Sequence, residues 1–270
     1  MFGQSIPLGF AGGGPASFDA HFLVVAGGGY VTNPGACYGG GGAGGGGLRT
    51  SYGSVSGGGA SPETPLALET GTAYSVTIGA GGGNSTFDTI TSTRGGSHSG
   101  YFDGGSGGSG AGGAAPPVRG NGGAALSPTQ GYRGGHSNGG YAYSGSGGGG
   151  AGAIGGVGPQ YAYGGYGGIG LQATIVTSSQ ASAAGVGENG YFAGGGGGQS
   201  YHSNCAAENQ IGGLGGGGGG KPGNVPRFAA NYPNSGGGAA SRNNPQGAYQ
   251  TRYGASGVVI VRYPNTFTAA

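Results

Sequence analysis

Tyr141, Tyr143, Tyr161, Tyr163 and Tyr166 crowd two short segments, YRGGHSNGGYAYSG (132–145) and PQYAYGGYGG (159–168), and Arg133 and His136 share the first of them. Tyr201 lies in QSYHSNCAAEN (199–209) and Tyr232 in FAANYPNS (228–235). Tyrosine joins an apolar ring to a polar tip and loses little side-chain entropy when immobilised, so such clusters suit adhesion to sugars or protein loops. Arg133 and His136 add polar donors beside them. The same tyrosines have a structural use, covering a scaffold while their hydroxyls satisfy stray backbone groups. The residues leave both uses open.

Covalent and metal chemistry find less to work with. GGGGGGKP (215–222) approximates a phosphate-binding loop, but Pro222 stands where a Ser or Thr must reach Mg²⁺. GGSGG (104–108) fits the spacing of a nucleophile elbow without the strand–turn–helix that would present its serine. A dinucleotide fingerprint of three glycines is expected about seven times by chance in so glycine-rich a chain. His21, His98, His136 and His202 are scattered without ligand spacing and read as polar loop residues. Cys37 and Cys205 form no CxxC motif, and their pairing is open. No enzyme and no cofactor is expected. Arg94 in TRGG and Arg133 in YRGG resemble single-strand-binding RGG segments, but a net charge of +2 supplies no basic stripe for nucleic acid.

What positions the tyrosines is a backbone almost without side chains. Glycine supplies 81 of 270 residues, against an ordinary usage of roughly 7%. Collagen is excluded because its glycines must recur at every third position, whereas here they come in runs. Disorder is disfavoured by 17 Tyr and 9 Phe with only 6% charged residues. Strand text alternates with glycine text: HFLVVAGG (21–28), TAYSVTIGAGG (72–82), STFDTITST (85–93), LQATIVTS (171–178) and SGVVIVRYP (256–264) are β-branched or aromatic and bounded by Gly, Ser or Pro. No amphipathic helix of useful length stands out. The first and last strands are expected to pair as edges of one small sheet that brings the termini together.

The glycine text falls at 39–47, 104–114, 145–158, 194–198, 212–220 and 236–238. Its natural ordered state is the polyproline II conformation, with three residues per turn and no internal hydrogen bonds. Buried rods of this kind must satisfy one another's N–H and C=O groups, and glycine lets them approach closely enough. A nine-residue run makes a rod of roughly 28 Å. The fold class expected is therefore all-β/irregular: a packed polyglycine II bundle with a few short strands and essentially no α-helix.

Read in order, FLVVAGGGY, ALETGTAYSVTIGAGGGNSTFDTITSTRGG, GLQATIVTSS with GYFAGGGGG, GGLGGGGGG and SGVVIVRYP resemble the glycine-rich domain of bacteriophage tail-fibre and related virion proteins, across residues 22–264. The layout is also similar to the distal adhesins of T-even-like phages, in which layered polyglycine II helices carry receptor-contacting loops. The resemblance implies a virion tail protein, made in the host cytoplasm without a signal peptide. Residues 1–21 would be a docking arm and 22–270 the glycine-rich domain. Its partners would be a host cell-surface receptor, glycan or outer-membrane protein, and other tail or fibre proteins. Neither nucleic acid nor membrane insertion is implied, and a homotrimer and a monomer on a trimeric fibre both remain open. Receptor binding would fall to Arg133, His136, Tyr141, Tyr143, Tyr161, Tyr163, Tyr166, Tyr201 and Tyr232. The alternative is a purely structural fibre or virion component.

Overall fold

The computed structural model describes residues 16–32, 39–99, 102–115, 119–138, 144–158, 164–199, 211–220, 226–227, 232–241 and 251–264. In chain order the elements are β1 (Ser17–Val25), β2 (Val31–Thr32), β3 (Leu48–Thr50), a 3-10 turn (Gly57–Gly59), β4 (Leu66–Glu69), β5 (Val76–Thr77), β6 (Ser85–Phe87), β7 (Ile90–Ser92), β8 (His98–Ser99), β9 (Leu171–Gln172), α1 (Ser178–Ala183), β10 (Tyr191–Phe192), β11 (Gly219–Gly220), β12 (Pro226–Arg227), β13 (Thr251–Arg252) and β14 (Val258–Arg262). Among the described residues the chain is essentially non-helical, with short and mostly antiparallel strands.

The side-chain core is built on β1. Its first half alternates, with Phe18, Ala20 and Phe22 inward and Ser17 and Asp19 outward; from Leu23 every residue is buried. The two ends of the chain do pair: His21 to Val25 run antiparallel to Arg262 to Val258. The sequence makes both strands edges, and here β1 is central instead, bonded to β14 on one side and to β3 and β4 on the other. Ser17–His21 of the proposed arm thus belongs to the sheet. Continuous burial of Leu23–Val25 follows from cover on both faces of the sheet. Leu23, Val25 and Leu48 pack with Ile175, Phe192 and Val258 on one face. On the other, Phe18, Phe22 and Val24 pack with Leu68, Phe87 and Ile90. Each fully buried Phe or Leu contributes about 1.5–3 kcal/mol.

Three of the expected strands are much shorter than their text or divided within it. Asp88 takes a left-handed φ of 50° and folds 85–93 into the β6–β7 hairpin. Only Val76–Thr77 of 72–82 is strand, and Ile78 just beyond it is exposed. Within 171–178 the strand stops at Gln172, because Thr177 and Gln180 exchange side-chain–backbone bonds in a capping box that starts α1. His21 lies in β1 and His98, fully buried, in β8, so neither is a loop residue.

Outside the sheets the glycine runs make a second core of backbone alone. Residues 41–47 are all buried. Their amides donate with a period of three: Gly42 and Gly45 to Ser146 and Gly149, Ala43 and Gly46 to Ala239 and Gly236, Gly44 and Gly47 to Gly96 and Thr93. The carbonyls from Gly40 to Gly47 follow the same rule, accepting from Gly112 and Ser109, from Gln199 and Gly196, and from Gly29 and Ala26. One run therefore touches six neighbouring segments, and every partner along it is backbone. The run 145–151 repeats the pattern, with Gly145, Gly148 and Ala151 donating to Gln199, Gly196 and Ala193. Only glycine fits most of these positions: a Cβ on Gly41, Gly44 or Gly46 would lie inside 3.0 Å of the carbonyl oxygens of Gly112, Ser109 or Ala26.

Candidate functional site

The outermost segments carry the side chains that the interior excludes. In each, every third residue is exposed or half-exposed, and the two between are more buried: Asp103 and Ser106, Asn121 and Ala124, Arg133 and His136, Ile154 and Val157, Tyr166 and Ile169, Ile211 and Leu214. A backbone that turns once per three residues puts i and i+3 on one side. The residues between are mostly glycines bonded to the layer beneath; Gly134, for example, would drive a Cβ into the carbonyl of Ala111.

The six segments are neighbours in that order. The Asp103 carboxylate accepts from the amide of Asn121 at 2.7 Å, and Ser106 Oγ from that of Ala124 at 3.3 Å. Gly122 N–H donates to His136 Nδ1 at 3.2 Å, and Gly134 donates to Gly123. Gly155 donates to the carbonyl of Arg133, and Gly156 to that of Tyr166. Gly167 and Gly170 then donate to Ile211 and Leu214. Two rows of side chains result. One runs Asp103, Asn121, His136, Val157, Tyr166, Ile211; the other runs Ser106, Ala124, Arg133, Ile154, Ile169, Leu214.

Chemistry changes along the rows. The first three segments are polar and charged, and the last three expose aliphatic side chains around Tyr166, which is 56% exposed. The apolar end exposes Ile154, Val157, Tyr166, Ile169, Ile211 and Leu214 as neighbours, and a contiguous exposed apolar patch is a mark of an interaction surface. At the charged end His136 is held below its ordinary value of 6.5, first by burial, then by the cations Arg133 and Arg119, with Asp103 opposing. Its Nδ1 accepts the Gly122 amide, which requires that nitrogen unprotonated.

Of the expected binding residues, Arg133, His136 and Tyr166 come together on this face. Tyr232 does not: it is half-buried beside Gly216, in the stretch after the last segment, where its carbonyl accepts from Ser235 Oγ. Tyr141, Tyr143, Tyr161, Tyr163 and Tyr201, and both cysteines, lie outside the described residues. Ile154, Val157, Ile169, Ile211 and Leu214 do not stand out by type, because a lone aliphatic residue in glycine text reads as noise. Their signal was the shared i, i+3 spacing.

Two other tyrosines serve the scaffold. Tyr52 takes a hydrogen bond from Arg262 at 2.7 Å beneath the stacked guanidinium, and Tyr74 takes one from the Glu69 amide. Gly215 and Gly216, both at positive φ, aim successive amides at one point, an anion-binding nest. The chain fills it itself, with Glu188 Oε2 at 3.0 and 3.1 Å.

No family model, no curated protein and no solved structure matches the chain.

Proposed function

We propose that the glycine runs are polyglycine II helices packed as a lattice, and that the chain is a bacteriophage tail-fibre tip protein that attaches to the host cell surface through the six-segment face. The lattice reading is supported by the three-residue period of donors and acceptors along 41–47, which is the period of that helix. The attachment reading rests on one observation above all: half of the exposed large hydrophobic residues among those described, Ile154, Val157, Tyr166, Ile169, Ile211 and Leu214, stand in register with Arg133 on one outer face. Interfaces draw most of their affinity from a few such aromatic and Arg anchors set among apolar neighbours. A rigid backbone scaffold holds those anchors in place before the partner arrives, which lowers the entropy cost of binding.

The test is competition. Purified chain added to cells of a susceptible strain before phage is expected to block adsorption, and the double variant Arg133→Ala, Tyr166→Ala to fail to block it. Purified chain that binds no host surface, while virions carrying it still infect, refutes attachment and leaves the structural role.

A further inference from the structure

β14 offers a second interaction site, of a different kind and independent of the proposed attachment face. Along β1, Ala26 N–H bonds Gly47 and the Phe22 carbonyl receives Ser51, both on the β3 side. Backbone groups alternate in direction along a strand, so those of His21, Leu23 and Val25 turn to β14. Their cross-strand partners are Arg262, Ile260 and Val258. The N–H and C=O groups of Val259 and Val261 consequently point away from the sheet. Among the described residues no backbone group bonds them, and β14 ends the strand order. None of the usual devices that blunt an exposed edge is present from Val258 to Val261: there is no charge, no proline and no bulge.

The side chains of the same two residues line a cavity. Val259 and Val261 form its wall with Phe18, Leu68, Tyr74 and Phe87, and its volume is ≈ 220 Å³. A dry apolar cavity of roughly 150 Å³ already holds a benzene ring, so this one has room for one aromatic side chain. Residues directly opposite each other on paired strands place their side chains on the same face. A strand added antiparallel to β14 would thus bond the free groups of Val259 and Val261. Its residues opposite them would project on the cavity side.

We propose that the outer edge of β14 is a strand-addition site for an extended segment of a partner polypeptide, which inserts one aromatic side chain into the cavity beside Val259 and Val261. Main-chain bonds supply affinity in this mode and the pocket supplies selectivity. The occupant is protein: four backbone groups at strand spacing match a peptide backbone, and the cavity wall offers a sugar few polar partners.

Labelled, end-capped pentapeptides Thr-Val-X-Val-Thr, with X as Phe, Ala or Asp, would be titrated into the full chain and followed by fluorescence anisotropy. The Phe peptide is expected to bind in the micromolar range, and the Ala and Asp peptides at least about tenfold more weakly. N-methylation of the Phe amide deletes a main-chain donor without touching the protein, and should also cost about tenfold. Val261→Pro removes an outward N–H that no described strand uses, a substitution tolerated on edges. It should abolish binding while leaving the melting temperature within a few degrees. Failure of the Phe peptide to bind at millimolar concentration overturns the site. So does binding that is indifferent to N-methylation, whether or not the proline variant folds.

Discussion

Gly41 and Gly112 lie so close that a Cβ on Gly41 would sit inside 3.0 Å of the Gly112 carbonyl carbon and oxygen. The contact is backbone on backbone, so no rotamer change can relieve it. Gly217 stands in the same relation to Gly195 and Gly213.

Gly41→Val and Gly217→Val are accordingly expected to destabilise by about 3 kcal/mol or more, through overpacking and through stranded backbone groups at about 1–3 kcal/mol each. Gly139, which the sequence alone offers for comparison as a loop position, lies outside the described residues. Gly71 serves instead: nothing stands within 4 Å of its Cβ position, and its φ of +79° confines the cost of Gly71→Ala to about 1–2 kcal/mol. Thermal unfolding followed by calorimetry orders the three variants. Equal losses would mean that the runs are not held by mutual contact.

Glu188 tests the same principle with a side chain. Its carboxylate is buried and receives two successive amides of the 214–216 turn. Glu188→Ala leaves both donors unsatisfied, and is expected to cost about 2–4 kcal/mol, more than a truncation of its size elsewhere. Hydrogen exchange at Gly215 and Gly216 should accelerate sharply in the variant. Unchanged exchange would show that the turn holds itself.

What the sequence disclosed follows from where its side chains are. β1 and β14 were legible because Leu23, Val24, Val25 and Val258–Val261 are apolar strand formers, and their pairing was expected because both read as edges of one small sheet joining the termini. The centrality of β1 was not, because its second and third partners, Leu48–Thr50 and Leu66–Glu69, are short and unremarkable as text. The hairpin turn at Asp88 and the start of α1 at Thr177 had local signals, an Asp able to take positive φ and a T-x-x-Q box, each inside a run that reads as strand. Arg133, His136 and Tyr166 were singled out by type. Their gathering was not legible, since the face joins residues from Asp103 to Leu214 through bonds of the glycine backbone, which carries no side-chain pattern.

His136 reports on the charged end of the face. Burial and the cations Arg133 and Arg119 depress its proton affinity, so the unfolded chain binds the proton more readily below the ordinary value of 6.5. Stability is then complete above that value, falls as pH drops through it, and levels off once both states are protonated. By NMR its titration midpoint should lie below 6.5. Arg133→Gln should raise it and Asp103→Asn lower it further. A midpoint unmoved by Arg133→Gln would separate the two side chains in solution.

The apolar end of the face should be dispensable for folding and necessary for attachment. Tyr166, Ile169 and Ile211 are exposed surface residues, so Tyr166→Ala and Ile169→Ser should each change stability by no more than about 0.5 kcal/mol. A binding anchor behaves otherwise, losing about 2 kcal/mol or more on truncation, which is roughly thirtyfold in affinity. The two readings thus diverge in one pair of measurements on the same proteins: melting temperature, and retention of the labelled chain on host cells. Attachment predicts unchanged melting with retention lost in Tyr166→Ala and reduced in Ile169→Ser. An adhesive role confined to the charged end predicts loss with Arg133→Ala alone. Retention indifferent to all three, at wild-type stability, would return the face to the surface of a structural fibre.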